Sequence, residues 1–401
     1  MNKKIVIAGS GFAGMWGALS AARAISLAGK QQDIGVTVVS PSPNLVIRPR
    51  LYEAAIEGMA PDLTALFQAV GVEHVAGRVE SIRSEAREIS VAVADGCLTL
   101  PFDKFVLATG SVLNLAPVPG LAEHAFSVDQ LSSAKALDAH LKLLAGKPDS
   151  LARNTVVVVG GGLTGIETAT EMPERLRAIL GGATKIQVLL IEQAPAIAPN
   201  LGPAARPVIE EALAACGVEI ITDTAIASIG ANLIATATGR TIETDTVVWT
   251  TGTRASPLAT QIAGDRDHLG RVHADPYLRA SRTKDVFVAG DTAYAASDDI
   301  GNHALMSCQH ALSLGRVAGH NAAAELVGLP LHQYRQPKYV SCIDLGAWGA
   351  LYTEGWEPKV CLTRGEAKAL KKEITTKWIY PPAPDRQAVF AIANPDYVIV
   401  A

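Results

Sequence analysis

The sequence predicts an α/β protein with two similar parallel-sheet units and a smaller α+β unit at the carboxyl end. The first observation is an internal repeat: residues 4–15 (KIVIAGSGFAGM) and 155–167 (TVVVVGGGLTGIE) each run from a β-branched stretch through G-x-G-x-x-G into a helix-compatible segment. The second is the matched spacing from the last glycine to the end of the next apolar run, 26 residues in the first copy and 27 in the second. The third is the composition, because 49% apolar and 18% charged residues are typical of a well-packed globular chain. Two strand–helix–strand units in tandem are therefore expected.

Length and composition limit the classes of protein that the chain can represent. A chain of 401 residues is too long to form one compact core, so its length indicates two or three domains. The formal net charge of −4 argues against nucleic-acid binding, because such proteins usually carry a basic surface. The five cysteines are scattered without C-x-x-C spacing, which argues against a disulfide framework, a zinc site or a local redox disulfide. We expect no metal site and a reducing compartment.

The amino-terminal sequence contains no recognisable targeting signal. The start MNKKIVIAG passes directly from a short basic stretch into a glycine turn, without the apolar region of a signal peptide. No run of about 18 apolar residues is present, so we expect no transmembrane helix. The chain is therefore predicted to be cytoplasmic.

Further apolar runs complete the two units. Residues 102–111 (FDKFVLATGS) and 245–257 (DTVVWTTGTRASP) are strand-like and end at a glycine turn, and residues 283–293 add another such strand. A long helix is predicted over 304–326 from the helical spacing of small and apolar residues. The predicted division is 1–115 and 271–326 for the two parts of the first domain, 116–270 for the second domain and 327–401 for the C-terminal domain.

The glycines of the first turn have distinct tasks. Gly9 permits the tight turn, Gly11 lets the backbone approach a pyrophosphate, and Gly14 lets the helix pack closely on the strand. The first helical residues, Phe12 and Ala13, then offer N–H groups and a partial positive charge to the phosphates. Because an apolar strand precedes the motif and a helical pattern follows it, the turn predicts a dinucleotide site. The same reasoning applies to the glycines of the second copy, which are Gly160, Gly162 and Gly165.

The residue at the end of the second strand differs between the two units. Glu192 is the acid expected there, since a carboxylate accepts hydrogen bonds from ribose hydroxyls and repels a 2′-phosphate; the second unit should prefer NADH to NADPH. The alternative interpretation of Glu192 is a solvated acid at a strand end. In the first unit Ser40 takes this place. We predict that Ser40 lies against an adenosine ribose with fewer hydrogen bonds than an acid would make.

These motifs together resemble the two-dinucleotide-binding-domain flavoproteins of the pyridine nucleotide-disulfide oxidoreductase superfamily. ATG at 108–110, TTG at 250–252 and VFVAGD at 286–291 carry the resemblance, and GGGLTGIETATEM and RPRLYEAA are most similar to type II NADH dehydrogenases. The resemblance implies two Rossmann-like dinucleotide-binding domains, FAD in the first and NADH in the second, plus the small C-terminal α+β domain. It also implies an FAD-dependent NADH dehydrogenase that passes hydride from NADH to flavin and then electrons to a second acceptor such as a quinone.

The resemblance assigns roles to individual residues. Asp291 would bind the ribityl chain of FAD, although an acid there can also cap a helix. Glu167 would lie near the nicotinamide and flavin rings, with a packed helix acid as the alternative. Arg48 would lie in the flavin region, with a surface cation as the alternative, and Gln309 corresponds to the first glutamine of the quinone-pocket motif. The predicted catalytic residues are Glu167 and Gln309, and the predicted cofactor-binding residues are Gly9, Gly11, Phe12, Ala13, Gly14, Ser40, Arg48, Val79, Ala108, Thr109, Gly110, Asp291, Ser307, Gly160, Gly162, Gly165, Glu192 and Gly252.

Departures from the family pattern keep other functions open. Ser313 stands where the second glutamine of the quinone motif would be, and the cysteine pair of the disulfide reductases is missing near the first helix. The alternatives are an NADH-dependent reductase of an electron-carrier protein or small molecule, a non-catalytic FAD/NAD redox sensor, and an NAD-binding module with a vestigial flavin site. The sequence leaves open a homodimer.

The C-terminal segment EAKALKKEITTKW is predicted to be an amphipathic helix. Ala367, Leu370, Ile374 and Trp378 share one face, with Lys371 and other lysines around that face. Such a helix can lie in a membrane interface or pack on the protein core. We expect packing, with peripheral contact on the inner face of a membrane as the alternative.

Overall fold

A five-stranded parallel sheet forms the first unit, with strands from distant parts of the chain. The computed structural model describes residues 3–113 and 117–398. The central strand Lys3–Ala8 pairs with Ile34–Ser40 on one side and Lys104–Leu107 on the other. The central strands are almost fully buried, which explains their continuous apolar sequences. In spatial order the strands are Val286–Val288, Lys104–Leu107, Lys3–Ala8, Ile34–Ser40 and Val72–Ala76.

Two long helices pack against each other on this sheet. Phe12–Leu27 follows the first glycine turn, and Cys308–Val327 follows the strand that ends at Val288. The predicted helix over 304–326 begins later than expected because Ser307 takes the N-cap position, where its hydroxyl accepts a hydrogen bond from the backbone N–H of His310 at 3.3 Å. Shorter helical segments of this unit are Arg48–Arg50, a 3₁₀ turn, and Thr64–Val70.

The second unit repeats the topology of the first. Its sheet is also five-stranded and parallel, with Thr155–Val159 at the centre between Gln187–Ile191 and Thr246–Trp249. The repeat read from the sequence is therefore a structural repeat. In spatial order the strands are Val218–Ile221, Gln187–Ile191, Thr155–Val159, Thr246–Trp249 and Ala125–Phe126, and the helices are Leu121–His124, Leu131–Leu143, Leu151–Asn154, Leu163–Leu180 and Gly202–Cys216.

Small antiparallel elements complete both units and join them. A three-stranded sheet follows the third strand of each unit. Ser111–Leu113 pairs with Thr253–Ala255 and so links the end of the first unit to the end of the second. The two three-stranded sheets are Arg78–Arg83, Glu88–Val93 and Gly96–Pro101 in the first unit, and Ile226–Ile229, Leu233–Thr236 and Thr241–Glu243 in the second; Val272–His273 pairs with Ala293–Tyr294.

The C-terminal residues form the predicted α+β unit. Its antiparallel sheet consists of Val340–Asp344, Ala350–Glu354 and Lys359–Thr363. The helix Arg364–Glu373 packs on this sheet and continues into a π-helical turn over Ile374–Trp378. A last helix, Arg386–Ile392, contacts the helix Phe12–Leu27. The fold is thus α/β with two Rossmann-like units and a small α+β unit.

The helix Arg364–Glu373 and the turn after it bury a different face from the predicted one. Ala367, Lys371 and Thr375 are buried, whereas Trp378 is 43% exposed. The prediction that Lys371 lies among the lysines around the apolar face is therefore wrong. Its ammonium group is buried because it contacts the carboxylate of Glu167 in the second unit. Within residues 3–113 and 117–398, no helix has the length and apolar character needed to cross a membrane. The domain boundaries at 115, 270 and 326 stay a prediction.

Candidate active site

The first glycine turn has the geometry that a phosphate-binding turn requires. Gly9 has a φ of 104°, and a Cβ there would lie 2.4 Å from the carbonyl oxygen of Ala108. A Cβ at Gly14 would lie 1.9 Å from the carbonyl oxygen of Gly9, so only glycine permits this close helix–strand contact. A Cβ at Gly11, in contrast, would meet no atom within 4 Å, and the helix that begins at Phe12 has no side-chain N-cap. The open space and the uncapped helix N-terminus fit a pyrophosphate.

The second turn repeats these features. Gly160 has a φ of 114°, and a Cβ at Gly165 would lie 1.8 Å from the carbonyl oxygen of Gly160. A Cβ at Gly162 meets no atom within 4 Å, as at Gly11. The second unit therefore also fits a dinucleotide.

Glu192 lies directly against the second turn. Its Oε2 accepts a hydrogen bond from the backbone N–H of Gly161 at 2.6 Å, and its Oε1 accepts one from the N–H of Ala194 at 2.8 Å. The carboxylate is thus held at the end of the strand, beside the glycines, where a ribose would lie. Gly252, with a φ of 82°, turns the chain between Thr250 and Thr253.

One large cleft lies between the first glycine turn, the second unit and the C-terminal unit. Its cavity volume is about 1270 Å³. Leu163 and Thr164 of the second unit and Val340 and Ile343 of the C-terminal sheet line it together with the first turn. Of the predicted residues, the structure brings together in this cleft Gly9, Gly11, Phe12, Ala13, Ser40, Arg48, Val79, Ala108, Thr109, Gly110, Glu167, Asp291, Ser307 and Gln309; outside its lining are Gly14, Gly160, Gly162, Gly165, Glu192 and Gly252.

Ser40 lies in the cleft wall, but its hydroxyl already has partners. It donates to the carbonyl oxygen of Ser42 at 2.7 Å and lies 2.9 Å from Nε2 of His74 on the neighbouring strand. Burial lowers the pKa of His74, which favours the neutral ring. One lone pair of Ser40 remains for a ribose hydroxyl when His74 is the donor.

A polar cluster in the cleft wall is centred on Arg48. Its guanidinium pairs with the Asp129 carboxylate and donates to the hydroxyl of Ser111 at 3.1 Å. Ser111 in turn donates to Asp291 at 2.6 Å, and Arg48 lies 3.6 Å from the same carboxylate. Asp291 is therefore oriented by a hydroxyl and a cation, and Arg48 bridges the two units. Arg50, two residues later, instead pairs with Glu53 at 2.7 Å.

A buried ion pair lies in the cleft wall that the second and C-terminal units form. Nζ of Lys371 contacts Oε1 of Glu167 at 2.6 Å and donates to the carbonyl oxygen of Cys342 at 2.8 Å. The same Glu167 oxygen accepts a hydrogen bond from the backbone N–H of Asp344 at 3.0 Å. Burial raises the pKa of Glu167, and the ammonium group of Lys371 opposes this shift. A carboxyl with such a perturbed proton affinity in a cleft wall is suited to proton transfer.

The helix Cys308–Val327 brings its first turn to the cleft. Ser307 and Gln309 line the cleft, whereas Ser313 does not. The Gln309 amide is tied to the C-terminal unit, since it donates to Lys338 O at 3.5 Å and accepts from Val340 N at 3.4 Å. All five cysteines are free, and burial raises the pKa of the Cys308 thiol, which keeps it protonated.

Sequence reasoning missed three polar residues of the cleft. Lys371, Ser111 and Asp129 make the closest contacts to the predicted Glu167, Asp291 and Arg48. Ser111 directly follows the ATG turn, so its position in the sequence could have indicated a residue of the cleft. Lys371 gave none, because its helical pattern placed it among exposed lysines. Among the described residues, no group of His, Cys, Asp and Glu is arranged to hold a metal ion.

Comparison with known proteins identifies the class. The chain belongs to the pyridine nucleotide-disulphide oxidoreductase family, whose model matches residues 3–315. It is 43% identical over 383 residues to the NADH dehydrogenase-like protein Rv1812c of Mycobacterium tuberculosis, with 94% of each chain covered. It is 28% identical to the type II NADH:quinone oxidoreductase NdhA of the same organism, over 73% of this chain and 66% of that protein. The solved structure of NDH2 from Plasmodium falciparum has a TM-score of 0.77 at 12% identity and covers 98% of this chain and 97% of its own.

These comparisons define the activity at a coarse level. The chain is an NAD(P)H oxidoreductase of the flavoprotein type, and its cofactors are FAD and NADH. The two glycine turns, and the cleft that the first turn lines, fit these two cofactors.

Proposed function

We propose that the protein is an NADH:quinone oxidoreductase that binds FAD along the cleft and NADH on the second turn. The observation that carries the proposal is the shared cleft. It is lined by the first glycine turn and Asp291 and also by Gln309 and the Glu167–Lys371 pair. A dinucleotide held at the first turn would thus share the cleft with an acceptor, and the acceptor would contact the Glu167–Lys371 pair.

The residues of the first unit would hold FAD. The open space at Gly11 and the N–H groups of Phe12 and Ala13 receive the pyrophosphate. Asp291, oriented by Ser111, accepts hydrogen bonds from a polyol chain. Bound FAD supplies the ring that takes hydride and passes electrons on.

Glu192 would select NADH in the second unit. To bind a ribose it exchanges its contacts with the N–H groups of Gly161 and Ala194, or shares them, and its negative charge disfavours a 2′-phosphate.

The part of the cleft wall that the C-terminal unit forms would receive the acceptor. Tyr339, Val340 and Ile343 provide apolar surface there, and Lys371 provides a buried ammonium group. A flat, mostly apolar ring with polar oxygens suits this combination. The relative named NADH:quinone oxidoreductase supports a quinone as the acceptor.

Anaerobic titration with NADH tests the proposal directly. We expect purified protein to carry flavin, its absorbance to bleach with one equivalent of NADH, and a short-chain quinone to restore the colour. Steady-state rates with that quinone are compared with rates using a ferredoxin. A colourless protein, or a preference for the ferredoxin, would contradict the proposal; the second result would favour a reductase of an electron-carrier protein, consistent with the loss of the second glutamine at Ser313.

A further inference from the structure

The first and second units both line the cleft, and their relative position matters for the reaction. With FAD held by the first unit and NADH by the second, the hydrogen that NADH gives up crosses between the units. It leaves the nicotinamide with both electrons of its C–H bond and bonds to the flavin ring, and NAD⁺ remains. Such a transfer needs the reacting atoms about 3–3.5 Å apart, and a displacement of about 1 Å can cost about 100-fold in rate. Contacts that fix one unit against the other in the cleft wall therefore bear on catalysis.

An ionic contact crosses between the two units in this wall. Arg48 begins the 3₁₀ turn of the first unit. Asp129 belongs to the second unit, where it lies between the strand Ala125–Phe126 and the helix Leu131–Leu143. The guanidinium of Arg48 pairs with the Asp129 carboxylate, and its Nε also donates to the backbone carbonyl oxygen of Asp129 at 3.1 Å. Because side chain and backbone of one residue both accept from the planar guanidinium, the contact fixes its direction as well as its distance.

The Asp129 carboxylate is also held from its own side. Its Oδ2 accepts a hydrogen bond from Nε2 of Gln130 at 2.8 Å, and its Oδ1 accepts from Arg48. The side chain of Asp129 is only 12% exposed. A carboxylate that is already oriented and largely shielded from water loses little freedom on pairing and is weakly screened by salt. The contact is therefore more rigid than a solvent-exposed salt bridge.

The same guanidinium reaches the cofactor site of the first unit. Its Nη1 donates to the hydroxyl of Ser111 at 3.1 Å and lies 3.6 Å from the carboxylate of Asp291, to which Ser111 donates at 2.6 Å. Arg48 thus lies between one carboxylate of each unit. A displacement of Asp129 would be passed on through Arg48 to the groups that orient Asp291.

We propose that Asp129 is a positioning residue for hydride transfer: through Arg48 it fixes the second unit, which carries the nicotinamide, against the cofactor site around Asp291. Asp129 acts through the guanidinium rather than by touching either cofactor. The inference rests on the placement of FAD and NADH in the proposed function and is independent of the electron acceptor.

Asp129→Asn is the sharpest variant. The amide keeps the size and one acceptor oxygen of the carboxylate but removes its charge, so Arg48 should turn toward Asp291 and the second unit should lose its ionic contact. The limiting rate of flavin reduction by NADH, measured by anaerobic stopped flow, should fall by about tenfold or more. Flavin content, and the rate at which ferricyanide reoxidises the flavin, should stay at the wild-type level, because neither depends on the position of the nicotinamide. Asp129→Glu keeps the charge and should retain most of the wild-type rate.

Asp138→Asn is the matched control. Asp138 pairs at 3.0 Å with Arg175, which also crosses to the first unit by donating to the carbonyl oxygen of Tyr52 at 3.1 Å. These three residues lie outside the lining of the cleft. The control therefore weakens a contact between the units away from the cofactors, and flavin reduction should keep its wild-type rate.

An equilibrium spectrum supplies a readout without turnover. Stacked nicotinamide and reduced flavin rings give a long-wavelength charge-transfer absorbance, whose strength reports how closely the rings meet. At saturating NAD⁺ this band should be weaker in Asp129→Asn than in wild type and unchanged in Asp138→Asn. The thermal unfolding midpoints of the two variants should be similar.

The outcomes separate this inference from the proposed function. A wild-type reduction rate and band in Asp129→Asn would overturn the positioning role, as would an equal loss in Asp138→Asn or a loss of flavin from Asp129→Asn. A wild-type protein without flavin would overturn the proposed function, and the positioning role with it. A wild-type protein that NADH reduces but that reduces no quinone would contradict the proposed acceptor alone.

Discussion

At the scale of single residues, burial decides the protonation of His310. The ring is 0% exposed, its Nδ1 lies 2.9 Å from the Ser307 hydroxyl, and it stacks on Tyr339 with ring centroids 5.5 Å apart. Burial, together with the charge of Arg271, lowers its pKa to about 4. Its burial indicates a neutral packed ring rather than a proton donor.

Acid should therefore destabilise the protein through His310. Between pH 6.5 and 4 the unfolded chain binds a proton there that the folded chain does not, so the free energy of unfolding falls as pH drops through this window, by up to about 3 kcal/mol. In urea unfolding at pH 7.5 and 5, His310→Asn should lose less stability on acidification than wild type. His124→Asn changes an exposed histidine and serves as the control. Equal pH dependence in all three proteins would contradict this assignment.

At the scale of elements, small residues set the distance between the two long helices of the first unit. A Cβ at Gly319 would lie 1.9 Å from the carbonyl oxygen of Gly17, and one at Gly315 would lie 2.3 Å from that of Ala13. The first helix carries the turn residues of the cleft, and the second carries Gln309. Their close contact therefore fixes these cleft residues relative to each other.

Gly319→Ala should destabilise the protein although alanine favours helices. The forced separation of the helices should cost about 1–3 kcal/mol, measured as a lower urea midpoint. Gly365→Ala is the matched control, because this helical glycine has no atom within 4 Å of a built Cβ. It should be neutral or stabilise by about 0.5–1 kcal/mol. A harmless Gly319→Ala would mean that the helices separate without cost.

At the scale of the whole molecule, the ion pair of Glu167 and Lys371 joins the second unit to the C-terminal unit. The two residues are 204 positions apart in sequence. The C-terminal segment also reaches the first unit, where Arg316 donates to the carbonyl oxygen of Ile392 at 2.8 Å. The C-terminal unit thus lines the cleft and is held by contacts to both other units.

Lys371→Met should destabilise the fold in a pH-dependent manner. It leaves the buried Glu167 without its cation, which should cost about 3 kcal/mol or more at pH 8. The pKa of Glu167, already raised by burial, rises further, so stability relative to wild type should recover as pH falls and the carboxyl becomes neutral. The double variant with Glu167→Gln should regain much of the loss at pH 8. A double variant as unstable as the single one would show that the unpaired charge of Glu167 is not the cause of the loss.

The sequence by itself determined the local chemistry of this protein. Gly9, Gly14, Gly160 and Gly165 could be assigned because a tight turn and a close helix–strand contact are properties of a short stretch with a fixed residue pattern. The β-branched runs likewise predicted both parallel sheets, since a strand buried on two faces must be apolar throughout.

Only the tertiary structure decided the partners of the polar side chains. Asp129 beside Arg48, His74 beside Ser40 and Lys371 beside Glu167 are contacts between elements far apart in the chain. A helical pattern records which residues share a face but not which charge lies opposite, so Lys371 was expected at the surface. Burial of an ion pair depends on what the rest of the fold brings to it, and that information is distributed over the whole chain rather than carried by a local motif.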